Sequence, residues 1–245
     1  MRESLVISAR AMELNRQVMD VTSNNIANLD TIGFKRDKTY NTSFKDLIAT
    51  RMTNQTEQYS VPNTVSTVTD FSSGGFRFTS DALNVAISGD GFFKVAMPDG
   101  TFAYTRRGVL SLDKDKRLLI GGNQVMGTGG PITLEDTSMV IDEVGRIFNK
   151  DNQLMGQLSV VDIEDKSKLD KIGNTLFQSQ EEVQEIPTEA IVKHRYLEES
   201  NVNQANAMIE MIALLDSLRQ FETQQKLIQT QDELNGKVIS QVGAV

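Results

Sequence analysis

The chain has no cysteine. That excludes disulfide staples, thiolate zinc sites and a cysteine nucleophile. There is a single histidine, His194, so a multi-histidine metal site is excluded and a histidine relay has little to stand on. Tryptophan is absent and aromatic residues make up 6% of the chain. Basic residues are in the minority, 25 against 33 acidic, for a net charge of −8. Duplex binding needs a clustered basic surface, so nucleic acid is not expected as a partner. Long hydrophobic runs are missing too. The first, 5–9, breaks at Arg10 and is too short for a signal-peptide core. The longest charge-free stretch, 118–134, holds five glycines and a proline and cannot be a membrane helix. The expectation is a protein that stays in the cytosol or leaves by a route that cleaves no N-terminal signal.

What is present falls into regions of different periodicity. Residues 3–28 contain no Gly or Pro, and Ile7, Ala11, Leu14, Val18, Val21 and Asn25 recur at spacings of 4, 3, 4, 3 and 4. This predicts a long helix with a heptad seam. A second stripe (Leu5, Ala9, Met12, Met19, Ile26) lies beside it, more than one partner helix can cover. Residues 201–240 mirror this pattern. Met208, Met211, Ile212, Leu215, Leu218, Phe221, Gln225 and Ile228 predict a second amphipathic helix, with Ser200 or Asn201 as its N-cap. Its glutamines either bond laterally between helices or solvate a face. Acidity concentrates here, with 5 basic and 11 acidic residues in 181–245, as on a solvated face or beside a more basic partner.

Between 84 and 192 the signal is short strands with turns every eight to ten residues: Gly89-Asp90-Gly91, Pro98-Asp99-Gly100, Asp113 to Lys116, Gly121-Gly122-Asn123. That pattern predicts a compact β domain. Residues 37–74 are rich in Thr, Ser, Asn and Gln and are expected to form an extended or flexible arm. A short amphipathic helix through Phe44, Leu47, Ile48 and Met52 is possible within it. The expected layout is therefore terminal helices at 1–36 and 197–245, the arm at 37–74 and a β-rich domain at 75–196. The fold class expected is α+β, with the two long helices forming a coiled-coil-type inner domain. Seams without internal cover favour an oligomeric or filament-forming protein.

Motifs for chemistry are weak. The Gly-rich run 121–130 lacks the Lys-Ser or Lys-Thr pair and the following helix of a phosphate cradle. Asp113 and Asp115 resemble the start of a calcium loop, but Arg117 stands where a third oxygen ligand belongs. Asp90, Asp142 and Glu143 read as turn residues, and His194 as a structural or surface side chain. The methionines of both helices read as adaptable packing. No catalytic, cofactor-binding or metal-binding residue is expected.

Three blocks in order resemble one family. Asn24, Asn25, Asn28, Thr31, Gly33, Phe34 and Lys35 are similar to the N-terminal signature of the bacterial flagellar rod and hook proteins. Gly89, Gly91, Phe92 and Phe93, extended by Tyr104 to Gly108 and Leu112, resemble the central signature. Asn201, Val202, Arg219 and Glu222, followed by residues 226–233, resemble the C-terminal one.

The resemblance implies a non-enzymatic axial subunit with no cofactor. Its terminal helices pack in the inner layer of a helical tube, with the β domain outside. Its implied partners are itself, other rod subunits, hook-side axial proteins and the flagellar export apparatus, with no small-molecule substrate. Export without signal cleavage, into a rod crossing the periplasm, is also implied. Residues 36–75 lack the Gln-Pro-Gly tripeptide usual in the distal rod type, which points to the proximal type, with the distal type as the alternative. Ile7, Ala11, Leu14, Val18 and Val21 are expected to pack with Met211, Leu215, Leu218, Phe221 and Ile228, within or between subunits.

Two departures stand out. Ser80 and Ala82 replace the expected Gly and Pro. The interval 202–219 is about three residues long in excess, which rotates a helix by about 300°. The rival readings are a β-rich hydrolase using turn aspartates such as Asp90, and an unrelated secreted fibre subunit or adhesin.

Overall fold

Successive side chains on a strand point to opposite faces of the sheet, and this alternation builds the middle of the chain. In the strand Phe92–Ala96, Phe93 and Val95 enter the main core, while Phe92 enters a second, smaller core. The computed structural model describes residues 2–41, 65–134, 139–173, 175–179, 183–202 and 204–242. These divide into two units. One comprises 28–36 and 71–203; the other is drawn from 1–27, 37–70 and 204–245.

Among the described residues the regular elements of the first unit are strands, apart from one short 3-10 turn, Lys166–Lys168. Its largest sheet runs in the order Leu169–Ile172, Leu176–Ser179, Phe102–Thr105, Phe92–Ala96, Asn123–Gly127, Leu118–Ile120, Leu110–Leu112, every neighbour antiparallel. Val160–Ile163 pairs with both Phe92–Ala96 and Glu185–Pro187. Smaller ladders join Ile191–His194 to Val85–Ser88 and Tyr196–Glu198 to Phe76–Phe78.

The main core gathers Val85, Ile87, Phe93, Val95, Leu118, Ile120, Ile147 and Leu158, all at 2% exposure or less. The second is aromatic. Phe71 meets Phe92 and Phe177 edge-on, at centroid distances of 5.5 and 5.1 Å. Burying each such phenylalanine contributes about 1.5–3 kcal/mol.

Turn chemistry sets the strand ends. The Asp99 carboxylate accepts from both the backbone N–H and the hydroxyl of Thr101. The Asp81 carboxylate accepts from the Leu83 N–H, and its carbonyl from the Asn84 N–H. This closes the turn at Ser80 and Ala82 without the expected Gly and Pro. Gly108 is required by close approach, because a Cβ there would lie 1.5 Å from the Val85 carbonyl oxygen.

The second unit holds α1 (Arg2–Ala27) and α2 (Gln204–Val242), which pack on each other. It also holds an antiparallel ribbon of Asp37–Asn41 with Val65–Thr69. Both ends of the region expected as an arm therefore carry a strand. The short helix considered at Phe44 to Met52 lies outside the described residues. No helix among the described residues is long and apolar enough to cross a membrane.

The expected fold class is corrected here. Among the described residues there are two α-helices against nineteen strands, so the chain is mostly β with a β-rich body. A coiled-coil inner domain is not what the helices form. Knobs-into-holes packing buries its seam, yet Met211 is 50% exposed, Leu215 51% and Leu218 38%. Among the described residues the less exposed positions of α2 are Ala207, Glu210, Leu214, Ser217, Phe221, Gln224 and Ile228. That stripe shares Phe221 and Ile228 with the apolar one read from sequence, but three of its seven positions are polar. A face alternating Leu, Phe and Ile with Glu, Ser and Gln cannot supply a continuous apolar seam.

Candidate functional site

The β-rich unit contains a buried charge cluster that ties together distant parts of the chain. Lys35 and Glu198 have fully buried side chains, and that of Arg106 is 1% exposed. Lys35 Nζ donates to Glu198 Oε1 at 2.7 Å and to the Ser72 carbonyl at 2.7 Å. The Gly74 N–H donates to the same carboxylate oxygen at 3.1 Å. Arg106 donates to Glu198 Oε2 at 3.3 Å, to the Gly89 carbonyl at 2.8 Å and to the Ile87 carbonyl at 3.3 Å. Its guanidinium lies 5.3 Å from the Phe92 ring centroid, and its Nε has no hydrogen-bond partner.

Local structure brings each charge there. The Gly33 N–H donates to the Glu198 carbonyl at 2.8 Å. Gly33 has φ +71°, and a Cβ on it would sit 2.5 Å from the Arg107 nitrogen; only glycine both adopts that turn and fits against that backbone. Phe34, next along, is fully buried, with the Lys171 ammonium 4.3 Å from its ring centroid. Lys171 also donates to the Lys35 carbonyl at 2.7 Å. Asn201 accepts from the Arg36 N–H at 2.7 Å and donates to the Ser72 carbonyl at 3.2 Å.

Such a cluster contributes geometry more than energy. Desolvating two cations and an anion offsets most of the attraction between them. Removing one partner, however, strands a buried charge and costs about 3–5 kcal/mol.

The structure brings some of the expected residues together and separates others. Gly33, Phe34, Lys35, Gly89, Phe92, Asn201 and buried Val202 line or adjoin the cluster. Phe93 belongs to the main core instead. Asn28 is buried and accepts from the Thr31 hydroxyl at 3.1 Å. In the helical unit, Asn25 leaves the predicted seam. Its side chain exchanges two hydrogen bonds with the Asp37 backbone, at 2.8 and 3.0 Å, and Asn24 is exposed. Leu14, Val18, Val21, Phe221 and Ile228 are half-buried, and Arg219 and Glu222 are exposed. Ile7 and Ala11 lie on α1 within its range.

Sequence reasoning quoted Arg106 only inside a motif and missed Glu198. The available signal was a charged pair, Glu198-Glu199, at the end of a strand-like stretch.

The turn carboxylates are engaged elsewhere. Asp90, between Gly89 and Gly91, is 74% exposed and paired with Lys166 at 3.1 Å. The hydrogen bond from Lys166, then its charge, holds the Asp90 carboxyl below the usual carboxylate range. Arg117 pairs with both Asp113 (2.7 Å) and Asp115 (3.0 Å), so a cation stands where a calcium loop would place its third oxygen ligand. His194 Nε2 lies 3.0 Å from the Ala82 carbonyl, and burial pushes its pKa down. Burial and the hydrogen bond to Glu185 push the Tyr104 phenol up. Among the described residues no three His, Asp or Glu side chains are grouped to hold a metal.

Three family models match the chain. The model described as flagella basal body rod protein matches residues 5–35. The flagellar hook protein FlgE/F/G D1 domain matches 86–149, and the flagellar basal body rod FlgEFG protein C-terminal matches 193–241. Each contributes one charge of the cluster: Lys35, Arg106 and Glu198. Among curated relatives, the chain is 30% identical to the flagellar basal-body rod protein FlgG of Buchnera aphidicola subsp. Schizaphis graminum, over 96% of this chain and 98% of that protein. It is 30% identical to FlgG of Bacillus subtilis (98% and 99% covered) and 32% identical to FlgF of Escherichia coli (94% of each).

Proposed function

Because the chain belongs to the flagellar basal-body rod protein family, as a structural subunit and not an enzyme, we propose that it builds the rod by packing exposed apolar faces of its helices against neighbouring subunits. The carrying observation is α2. Met208, Met211, Ile212 and Leu215 are 50–71% exposed along one helix, a stripe that water covers poorly. Leu218 continues it. The neighbours in this reading are further copies of the chain and other rod subunits, with hook-side proteins beyond them and the export apparatus met on the way out. The rod crosses the periplasm, and the chain reaches it without signal cleavage.

Within the rod we place the chain at the proximal end. The alignment with the E. coli FlgF runs over 252 positions. Those with the Buchnera and Bacillus FlgG run over 267 and 270. All three exceed the 245 residues of the chain, the two FlgG alignments by more, and the smaller excess with FlgF supports the proximal reading. The distal position is the second reading, favoured by the coverage of FlgG from B. subtilis at 98% of the chain.

Electron cryo-tomography of cells lacking this protein tests both. A rod that stops near the inner membrane is expected. A rod that stops just short of the hook points to the distal position. Complete, motile flagella overturn the reading.

A further inference from the structure

We propose that the Lys35–Glu198–Arg106 cluster is a latch: it holds the segments along which the chain leaves the β-rich unit, and it opens separately from the body of that unit. The chain passes between the units after residues 27, 36, 70 and 203. One side chain and its backbone grip what lies beside those points. Glu198 accepts from Lys35, Gly33 and Gly74, and from Arg106 on the sheet. Asn201 adds the bonds to Arg36 and Ser72, and Glu199 donates its N–H to the Gly75 carbonyl at 2.8 Å. Residues 33–36, 72–75 and 198–201 are thus bundled by hydrogen bonds to charged or amide groups.

The choice of charge carries the argument. Apolar side chains of similar volume hold a core as firmly, but their attraction has no direction. Hydrogen bonds to a carboxylate fix distance and angle, so a segment pulled along its length meets resistance until several bonds break together. The body has its own apolar cores, with Phe93, Val95, Leu118 and Ile147 at the centre of one of them. It does not need the latch for its hydrophobic stability. In a rod subunit the covalent path for load runs through these segments. That mechanical meaning rests on the rod reading, while the latch itself does not.

The first test is native-state hydrogen exchange on the purified full-length chain, wild type against Glu198→Gln. The glutamine keeps the shape and removes the charge. Amides of 33–36 and 72–75 are expected to exchange roughly a hundredfold faster, while strands 92–96 and 102–105 keep their protection. If all four regions lose protection together, the cluster is ordinary core stability and the latch is overturned. Unchanged exchange everywhere overturns it too. Should Glu198→Gln not fold, Glu198→Asp is read in the same way, since it keeps the charge and shortens the reach.

The second test is in cells carrying Glu198→Asp, with swimming speed followed as the viscosity of the medium rises. Flagella in wild-type number that fail at lower load support the mechanical role. A load curve like that of wild type overturns it, and so does loss of flagella, which places the requirement at incorporation. A strain lacking the protein that still swims sinks the rod reading and leaves the exchange result standing.

Discussion

The β-rich unit and the helical unit solve the same problem differently. The first encloses apolar cores of its own: Phe92, Phe93, Val95, Phe177 and Ile147 are fully buried, while Phe78, Val144 and Leu154 stay 60% exposed at its surface. The second does not, since Ile209, Ile212 and Leu227 on α2 are 64–67% exposed. A helix presents a curved stripe that one antiparallel neighbour covers in part, whereas a sheet with side chains on both faces encloses two cores with its own loops and ladders. The body therefore builds its cores within one chain. The exposed face of α2 is the surface we propose for packing against neighbouring subunits.

The contrast is broken most severely from inside the body. Phe93→Ala is expected to cost about 3–5 kcal/mol, read as a drop in the urea midpoint of the β signal. A change under about 1 kcal/mol would mean the two units share their stability. Gly33→Ala comes next, at roughly 1–3 kcal/mol, because the turn at φ +71° is strained for alanine and the Cβ meets the backbone at Arg107. The same melt reads it.

A smaller effect depends on pH. Burial lowers the His194 pKa in the folded chain below the ordinary 6.5. The folded state then binds fewer protons than the unfolded one. Stability is fully present above pH 6.5 and falls as pH drops through the folded value. His194→Gln should flatten that fall in melts taken between pH 7 and pH 5, and an unchanged slope assigns it to other groups. Least of all should Leu218→Asp disturb the body, by no more than about 0.5 kcal/mol, because the side chain is on the helix surface. Motility should nevertheless be lost in a swarm assay. Normal swarming would remove Leu218 from the packing face.

Much of this division can be read from residue order. The turns at Gly89-Asp90-Gly91 and Pro98-Asp99-Gly100 mark strand ends because glycine, proline and aspartate act on their own few neighbours. Both helices follow from long spans without Gly or Pro. The balance between helix and sheet is not legible there: two long periodic segments suggest a coiled-coil domain, while among the described residues nineteen short strands carry the fold. On α2 the face read from the spacing of Met211 and Leu215 is exposed in the single chain. Glu210, Leu214 and Ser217 are the less exposed residues, and a polar Glu or Ser gives no periodic apolar signal.

The charge cluster was the least legible part. Lys35 and Arg106 stand inside the signature blocks legible in the sequence, Glu198 lies just ahead of the third, and nothing local distinguishes a buried glutamate from its exposed neighbour Glu199.

Residue order alone determined the two long helices, many of the turns that end strands, the absence of cysteine chemistry and the excess of negative charge, because these depend on near neighbours or on composition. Tertiary structure decided that Lys35 and Glu198, 163 positions apart, share one hydrogen bond at 2.7 Å, and that Arg106 joins them. Such a pairing depends on how an entire sheet twists and closes, which no short window of sequence contains.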